Sequence, residues 1–202
     1  MNWFTNLFKK DNSFSRTQES ELEDLSNSNS GIDWLLFENN LVKILEADIT
    51  RFAAQHADEV FYALALDCNA TSCDVLLCAN TPTALRDAAM TYSKERTDES
   101  INAESEELRW GLGDWKYHGI NLEPKENWLE YRAALPRIGE LDHPDDVEKF
   151  LVSACRALLR IEQGDILRNL KRTAEFRIAC IDHDESILNS EERLNALRVA
   201  AP

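Results

Sequence analysis

The sequence of 202 residues lacks any apolar run approaching the roughly 18 residues that a membrane-spanning helix needs, so it predicts no integral membrane association. It also lacks the pattern of a secretory signal, because the charges of Lys9 and Lys10 follow a short apolar stretch instead of preceding a long one. We therefore expect a cytoplasmic protein. Its five cysteines should be reduced thiols in that compartment.

Positive charge is scarce. The chain has 22 Lys and Arg residues against 37 Asp and Glu, which gives a formal net charge of -15. Nucleic acids and anionic surfaces bind through clustered Lys and Arg, so the sequence predicts no nucleic-acid partner. A protein with a basic surface is a better partner, since opposite potentials speed encounter. The alternative is that the acidic surface only keeps the protein soluble.

Sequence signatures of common enzymes are missing as well. The chain has four histidines and contains no His-Glu-x-x-His, no glycine-rich phosphate loop and no Gly-x-Ser-x-Gly elbow. Cys68, Cys73 and Cys78 are separated by four residues each, whereas paired zinc ligands in a tight turn are separated by two. We interpret these cysteines as small apolar residues and predict no catalytic residue, no cofactor and no metal.

The apolar pattern predicts one α+β domain over residues 32–202, behind a flexible N-terminal segment over residues 1–31 that is rich in Ser, Asn and Glu. Val60–Asp67 and Val75–Asn80 read as antiparallel strands, and Phe176–Asp182 as a returning strand. Short strands are also expected at Leu108–Trp110 and Trp115–His118. The expected fold is a mainly antiparallel central sheet of about four to five strands flanked by helices.

Helix signals lie on both sides of these strands. Apolar residues at helical spacing from Leu41 predict a helix that starts near Ile32 or Leu41 and ends at about Gln55. Thr81-Pro82 resembles the start of a helix that reaches about Glu95. The clearest helix begins at Pro144, where a proline and two acidic residues suit the positive end of the helix dipole. Its predicted buried stripe consists of Val147, Phe150, Leu151, Ala154, Leu158 and Ile161.

Carboxylates are concentrated in two stretches. Residues 98–107 contain five acidic residues and no basic one, and residues 140–148 contain five more, again without Lys or Arg. Between them, Arg109–His118 holds two tryptophans, two glycines and a tyrosine. That segment is expected to form a structural aromatic corner, with a recognition surface as the alternative, because Trp, Tyr and Arg concentrate binding energy at interfaces.

Three separated motifs carry a family resemblance. They are Leu108-Arg109-Trp110 with Asp114-Trp115-Lys116-Tyr117-His118, the strand Glu59–Asp67, and the closing Ile181–Glu185 with Arg193-Leu194-Asn195. Together they resemble the bacterial domain-of-unknown-function family numbered four-three-zero-three, over roughly residues 38 to 197. Small acidic proteins of this kind are similar to immunity proteins, which are made beside a toxin and block it.

The sequence therefore leads to the hypothesis of a non-enzymatic immunity protein that occludes a basic surface of a cognate bacterial toxin. The predicted partner-binding residues are Asp98, Glu99, Glu104, Glu106, Glu107, Trp110, Asp114, Trp115, Glu140, Asp142, Asp145 and Asp146. Two alternatives stay open. One is an enzyme of unrecognised type that uses the region of Asp114, His118 or Asp182, and the other is a housekeeping scaffold or regulator.

Overall fold

The computed structural model describes residues 32–95, 106–122, 141, 144–183 and 185–200. The elements in these residues are α1 (Trp34–Gln55), β1 (Val60–Asn69), β2 (Asp74–Asn80), α2 (Pro82–Glu95), α3 (Glu106–Trp110), α4 (Pro144–Gln163), β3 (Lys171–Asp182) and α5 (Ile187–Ala200). Short 3-10 helices lie at Leu112–Asp114 and Ile120–Leu122, after α3, and at Ile166–Asn169, after α4. The predicted linker over residues 1–31 lies outside the described residues.

The sheet of the described residues is three-stranded and mixed, with β1 in the centre in the order β2-β1-β3. The predicted hairpin is confirmed: β2 runs antiparallel to β1, with Leu77 opposite Leu66. The predicted α+β class is confirmed, but the expected sheet of four to five mainly antiparallel strands is wrong for the described residues in both strand number and strand direction. On the other side of β1, β3 runs parallel to it, with Cys180 beside Leu66. A parallel neighbour needs a long crossover, and α4 lies in that crossover.

The sheet of the described residues has fewer strands than expected, because neither of the two short strands predicted near the tryptophans forms there. Leu108–Trp110 belongs to the helix α3, whose first turn carries Glu106 and Glu107 at the positive end of the helix dipole. Within Trp115–His118, Tyr117 makes an isolated antiparallel bridge to Ala79 of β2. The first of the two expected strands is therefore helical, and the second is reduced to a single bridge.

Each face of the sheet is covered by helices, and the alternation of side chains along β1 separates the two faces. Leu64, Leu66 and Cys68 belong to the larger core with α1 and α4. Ala63 and Ala65 belong to a smaller core with α2 and α3. Helices α2 and α3 therefore lie on the opposite face of the sheet from α1 and α4.

Helices α1 and α4 pack their apolar faces into the larger core. Five of the six predicted stripe residues of α4 are buried, and Val147 is partly buried. The rings of Phe37 and Phe150 stack with centroids 5.6 Å apart across the two helices. Asp33 begins α1, because its Oδ1 accepts a 2.9 Å hydrogen bond from the Leu36 N–H.

The outer edge of β2 is closed by residues 115–122, which we call the edge segment. The Ala79 N–H donates to the Tyr117 carbonyl at 2.8 Å, and the Tyr117 N–H donates to the Ala79 carbonyl at 3.2 Å. Further along, the Asn121 side chain accepts from the Leu77 N–H at 2.7 Å and donates to the Val75 carbonyl at 2.8 Å. Between them Gly119 adopts a φ of 73°, which a residue with a Cβ adopts only at a penalty. A sheet edge that would otherwise offer free backbone groups is thus paired.

We expect Leu158→Ala to lower the free energy of unfolding by about 2 to 5 kcal/mol, because Leu158 is 0% exposed between the sheet and α1 and its truncation leaves a cavity. Leu188→Ala is the matched control. Leu188 is 64% exposed on α5, so the same chemical change should alter stability by about 0.5 kcal/mol or less. Urea denaturation of the two variants measures both values, and equal losses would contradict the assignment of the core.

Candidate functional site

The structure does not bring the two predicted acidic stretches together within the described residues. Glu106 and Glu107 are exposed on α3, whereas Asp145 is exposed and Asp146 buried in the first turn of α4. Since α3 and α4 lie on opposite faces of the sheet, their carboxylates belong to different surfaces. Five further predicted residues lie outside the described ranges: Asp98, Glu99, Glu104, Glu140 and Asp142.

The two predicted tryptophans are core residues. Trp110 is 7% exposed and Trp115 is 4% exposed, and their rings lie 5.7 Å apart. The Arg109 carbonyl holds this corner together, because it accepts hydrogen bonds from the Trp115 indole N–H at 3.0 Å and from the Tyr62 hydroxyl at 2.8 Å. The rings are therefore inaccessible to a partner in this conformation and serve as the structural aromatic corner.

Asp114 ties this corner to α2. Its Oδ2 accepts a 2.8 Å hydrogen bond from the Tyr92 hydroxyl. Because Asp114 is exposed, its carboxylate still faces solvent on the same side of the sheet as Glu106 and Glu107. The described acidic residues of this layer thus sit on α2, α3 and the turn that follows α3.

The acidic residues after β3 have structural partners. Asp182 Oδ1 accepts the Ala70 N–H at 2.9 Å, and the Glu185 carboxylate forms a paired salt bridge with Arg193. These contacts fasten the end of β3 to the β1–β2 turn and to α5. Asp182 and Glu185 are thus engaged in holding the turn after β3 in place.

A second polar cluster surrounds Glu59, at the start of β1. The Lys116 Nζ donates to Glu59 Oε2 at 2.7 Å, and the His56 Nδ1 lies 3.0 Å from Oε1. The Tyr117 hydroxyl donates to the same Oε1 and lies 3.1 Å from His56 Nδ1. Lys116 and Tyr117 come from the edge segment, so its pairing with β2 brings them to Glu59.

This cluster holds Glu59 as a carboxylate. Partial burial by itself would raise the pKa of Glu59, but hydrogen bonds from Lys116, Tyr117 and His56 together outweigh it and lower the pKa from its usual 4.5 to about 2. Glu59 is therefore a negatively charged carboxylate at neutral pH. It is a fixed charge and a poor proton donor or acceptor.

An open cleft of about 530 Å³ lies beside Glu59, between the α1–β1 turn and the start of α2. Its lining residues are Asp58, Glu59, Val60, Thr81, Pro82, Thr83, Ala84, Asp87 and Lys116. Three carboxylates and one amine line it, and the amine is already bound to Glu59. The first turn of α2 offers little to an anion, because Thr81 Oγ1 already accepts the Ala84 N–H at 3.1 Å. The cleft, which we call the acidic cleft, is suited to a cationic group.

A third cluster joins Asp67 of β1, Cys78 of β2 and His118 of the edge segment. The His118 Nε2 lies 2.8 Å from Asp67 Oδ2, and one potential ligand atom from each residue lies within 4.8 Å of the other two. Burial raises the pKa of the Cys78 thiol to about 12, although hydrogen bonds from the backbone of Gly119 and Asp67 act to lower it. Without a metal the thiol is therefore neutral and poorly nucleophilic.

Comparison with known proteins gives the family. Residues 41–197 match the family described as a domain of unknown function, DUF4303. The chain belongs to the DUF4303 family. The match confirms the resemblance drawn from three sequence motifs and contains all eight described elements except the start of α1 and the end of α5. No curated protein and no solved structure matches this DUF4303 chain.

The description of the DUF4303 family names no activity. In the part of the chain that the structure describes, no helix is both long and apolar enough to cross a membrane. Three features of the described residues are suited to binding another molecule or ion: the acidic cleft, the exposed acidic residues of the α2–α3 layer, and the cluster of Asp67, Cys78 and His118.

We expect Glu59→Gln to destabilise the protein at neutral pH and to have a progressively smaller effect in acid. A carboxylate whose pKa is lower in the folded state stabilises that state above its unfolded pKa, and this contribution is lost as the pH falls from about 4.5 to about 2. Melting temperatures of the native protein and the variant across this range measure the difference. A gap that stays constant or widens in acid would contradict the assigned ion cluster.

Proposed function

We propose that this DUF4303 protein is a non-enzymatic binding protein, and specifically an immunity protein that neutralises a cognate bacterial toxin by covering a basic surface. The observation that carries the proposal is the acidic cleft, in which Asp58 and Asp87 are exposed beside the fixed charge of Glu59. A Lys or Arg side chain of a partner would meet the exposed Asp87 there, and Asp58 is held only by a 3.7 Å contact with the exposed Lys171.

The face that would meet the partner is the α2–α3 layer. Asp87 lies on α2, Glu106 and Glu107 lie on α3, and these two helices contact each other on one side of the sheet. Glu106 lies 3.7 Å from Arg177. Exposed ion pairs of this kind are weak, so the Glu106 carboxylate can still attract other cations. This assignment moves the interface away from the first turn of α4, where Asp146 is buried.

Charge makes such a surface effective against a positively charged macromolecule. The net charge of -15 attracts a basic partner over a distance of about one Debye length, roughly 8 Å at physiological ionic strength. The local carboxylates then select the orientation in which the partner docks. Catalytic residues are not needed for this function, because covering a toxin's active cleft is enough to block it.

Co-expression tests the proposed function directly. The probe is the product of the reading frame immediately upstream of this gene, produced with and without the DUF4303 protein in the same host. We expect colony survival only when both proteins are present. A product that is lethal alone and equally lethal in the presence of this protein would contradict the proposal.

A charge-reversal pair tests the face. The double variant Asp87→Lys with Glu107→Lys should slow association with the basic partner roughly three- to tenfold and flatten its salt dependence, since both residues are exposed on the α2–α3 layer. Asp165→Lys with Glu192→Lys is the matched control, because both residues are exposed, Asp165 just beyond the end of α4 and Glu192 on α5 beside α4. Stopped-flow association at several salt concentrations measures the rates. Equal slowing by the control would place the interface elsewhere.

A further inference from the structure

The cluster of Asp67, Cys78 and His118 combines a carboxylate, a thiol and an imidazole from three separate parts of the chain. Asp67 and Cys78 are held on neighbouring strands by the β1–β2 pairing, and both extend from the face of the sheet that α2 covers. His118 reaches them from the edge segment. Among the described residues this is the one group of three such donors whose ligand atoms converge.

The arrangement of these three side chains fits ligands around one metal ion better than it fits a catalytic triad. In a triad the imidazole stands between the thiol and the carboxylate and uses a different ring nitrogen for each. Here one ring nitrogen, one carboxylate oxygen and the sulfur all lie within 4.8 Å of one another. Ligands of a tetrahedral zinc ion lie about 2.0 to 2.3 Å from the metal and therefore roughly 3.4 Å apart. The ligand atoms here lie up to 4.8 Å apart, so small side-chain movements that shorten the longest separation by about 1.4 Å would complete the site.

The surroundings of Cys78 support ligation. In the metal-free protein the Cys78 thiol donates a 3.6 Å hydrogen bond to the Leu76 carbonyl, and a bound cation would take the place of that proton. The site is also accessible, since His118 is exposed and Asp67 partly exposed, while Cys78 is buried beneath them. An ion would enter from the imidazole side.

We propose that Asp67, Cys78 and His118 bind a thiophilic divalent cation of the Zn²⁺ class, with water in the fourth position. Sulfur and imidazole ligands select zinc-like ions, whereas Mg²⁺ and Ca²⁺ prefer oxygen ligands alone. Binding converts the Cys78 thiol to a thiolate, and its proton is released to solvent. This site goes beyond the proposed binding of a toxin, because the acidic cleft is built from other side chains.

Cobalt titration of the tag-free, metal-free full chain tests the site. Co²⁺ takes the same ligands as Zn²⁺ and reports on them by absorption. We expect one equivalent to produce a sulfur-to-cobalt charge-transfer band in the near ultraviolet together with visible bands of four-coordinate cobalt. One equivalent of Zn²⁺ should abolish both sets of bands, and a large excess of Mg²⁺ should not.

Variants connect the signal to the three residues. Cys78→Ala should abolish the charge-transfer band, and His118→Gln or Asp67→Asn should weaken Co²⁺ binding by about tenfold or more. His118→Gln is the decisive variant if Cys78→Ala fails to fold, because the His118 side chain is exposed. The controls are His183→Gln, an exposed histidine after β3, and Cys155→Ala, a buried cysteine of the larger core; both should retain the wild-type spectrum.

Two results would overturn the metal site. One is the absence of a charge-transfer band at millimolar Co²⁺ in the wild-type protein, and the other is a band that survives both Cys78→Ala and His118→Gln in folded protein. Circular dichroism of each variant establishes that it is folded. Because the titration needs no toxin, failure of the metal site and failure of the proposed immunity function would be distinguished.

Discussion

Closure of the β2 edge by the edge segment is the constraint on which the functional features of this domain depend. Tyr117 pairs with Ala79 through two backbone hydrogen bonds, and the Asn121 side chain takes the place of a further strand residue against Val75 and Leu77. Without this pairing, β2 would present free N–H and carbonyl groups, the usual route to association through sheet edges. With it, the segment is fixed in register against the sheet.

That register directs successive side chains of the edge segment to opposite faces, as in a strand. Tyr117 packs with Phe52 on the α1 side and completes the bonds to Glu59. His118, the next residue, reaches Asp67 on the α2 side. One short segment therefore both fixes a charge beside the acidic cleft and contributes a ligand to the proposed metal site. The two proposals depend on the same backbone pairing and on different side chains.

Much of the fold could be predicted from local pattern, because the hairpin and α4 are encoded by contiguous apolar residues. Strand direction could not, since whether β3 runs parallel or antiparallel to β1 is decided by how the long connection through α4 packs. Whether Trp110 and Trp115 pack in the core or bind a partner depends on their burial, which amino-acid composition does not determine. The two acidic stretches do not form one surface within the described residues, because the order of charges along the sequence does not determine which face of the sheet each helix covers.

The cluster of Asp67, Cys78 and His118 could not be predicted from the spacing of ligand residues in the sequence. His118 lies 40 residues beyond Cys78 and comes close to it only because Tyr117 pairs with β2.

Native-state hydrogen exchange of β2 tests the pairing of the edge segment with β2 most directly. The account predicts that the amides of Leu77 and Ala79 exchange as slowly as those of the central strand β1, because the edge segment bonds them. Exchange of these two amides at the rate of an open strand edge, while β1 stays protected, would contradict it.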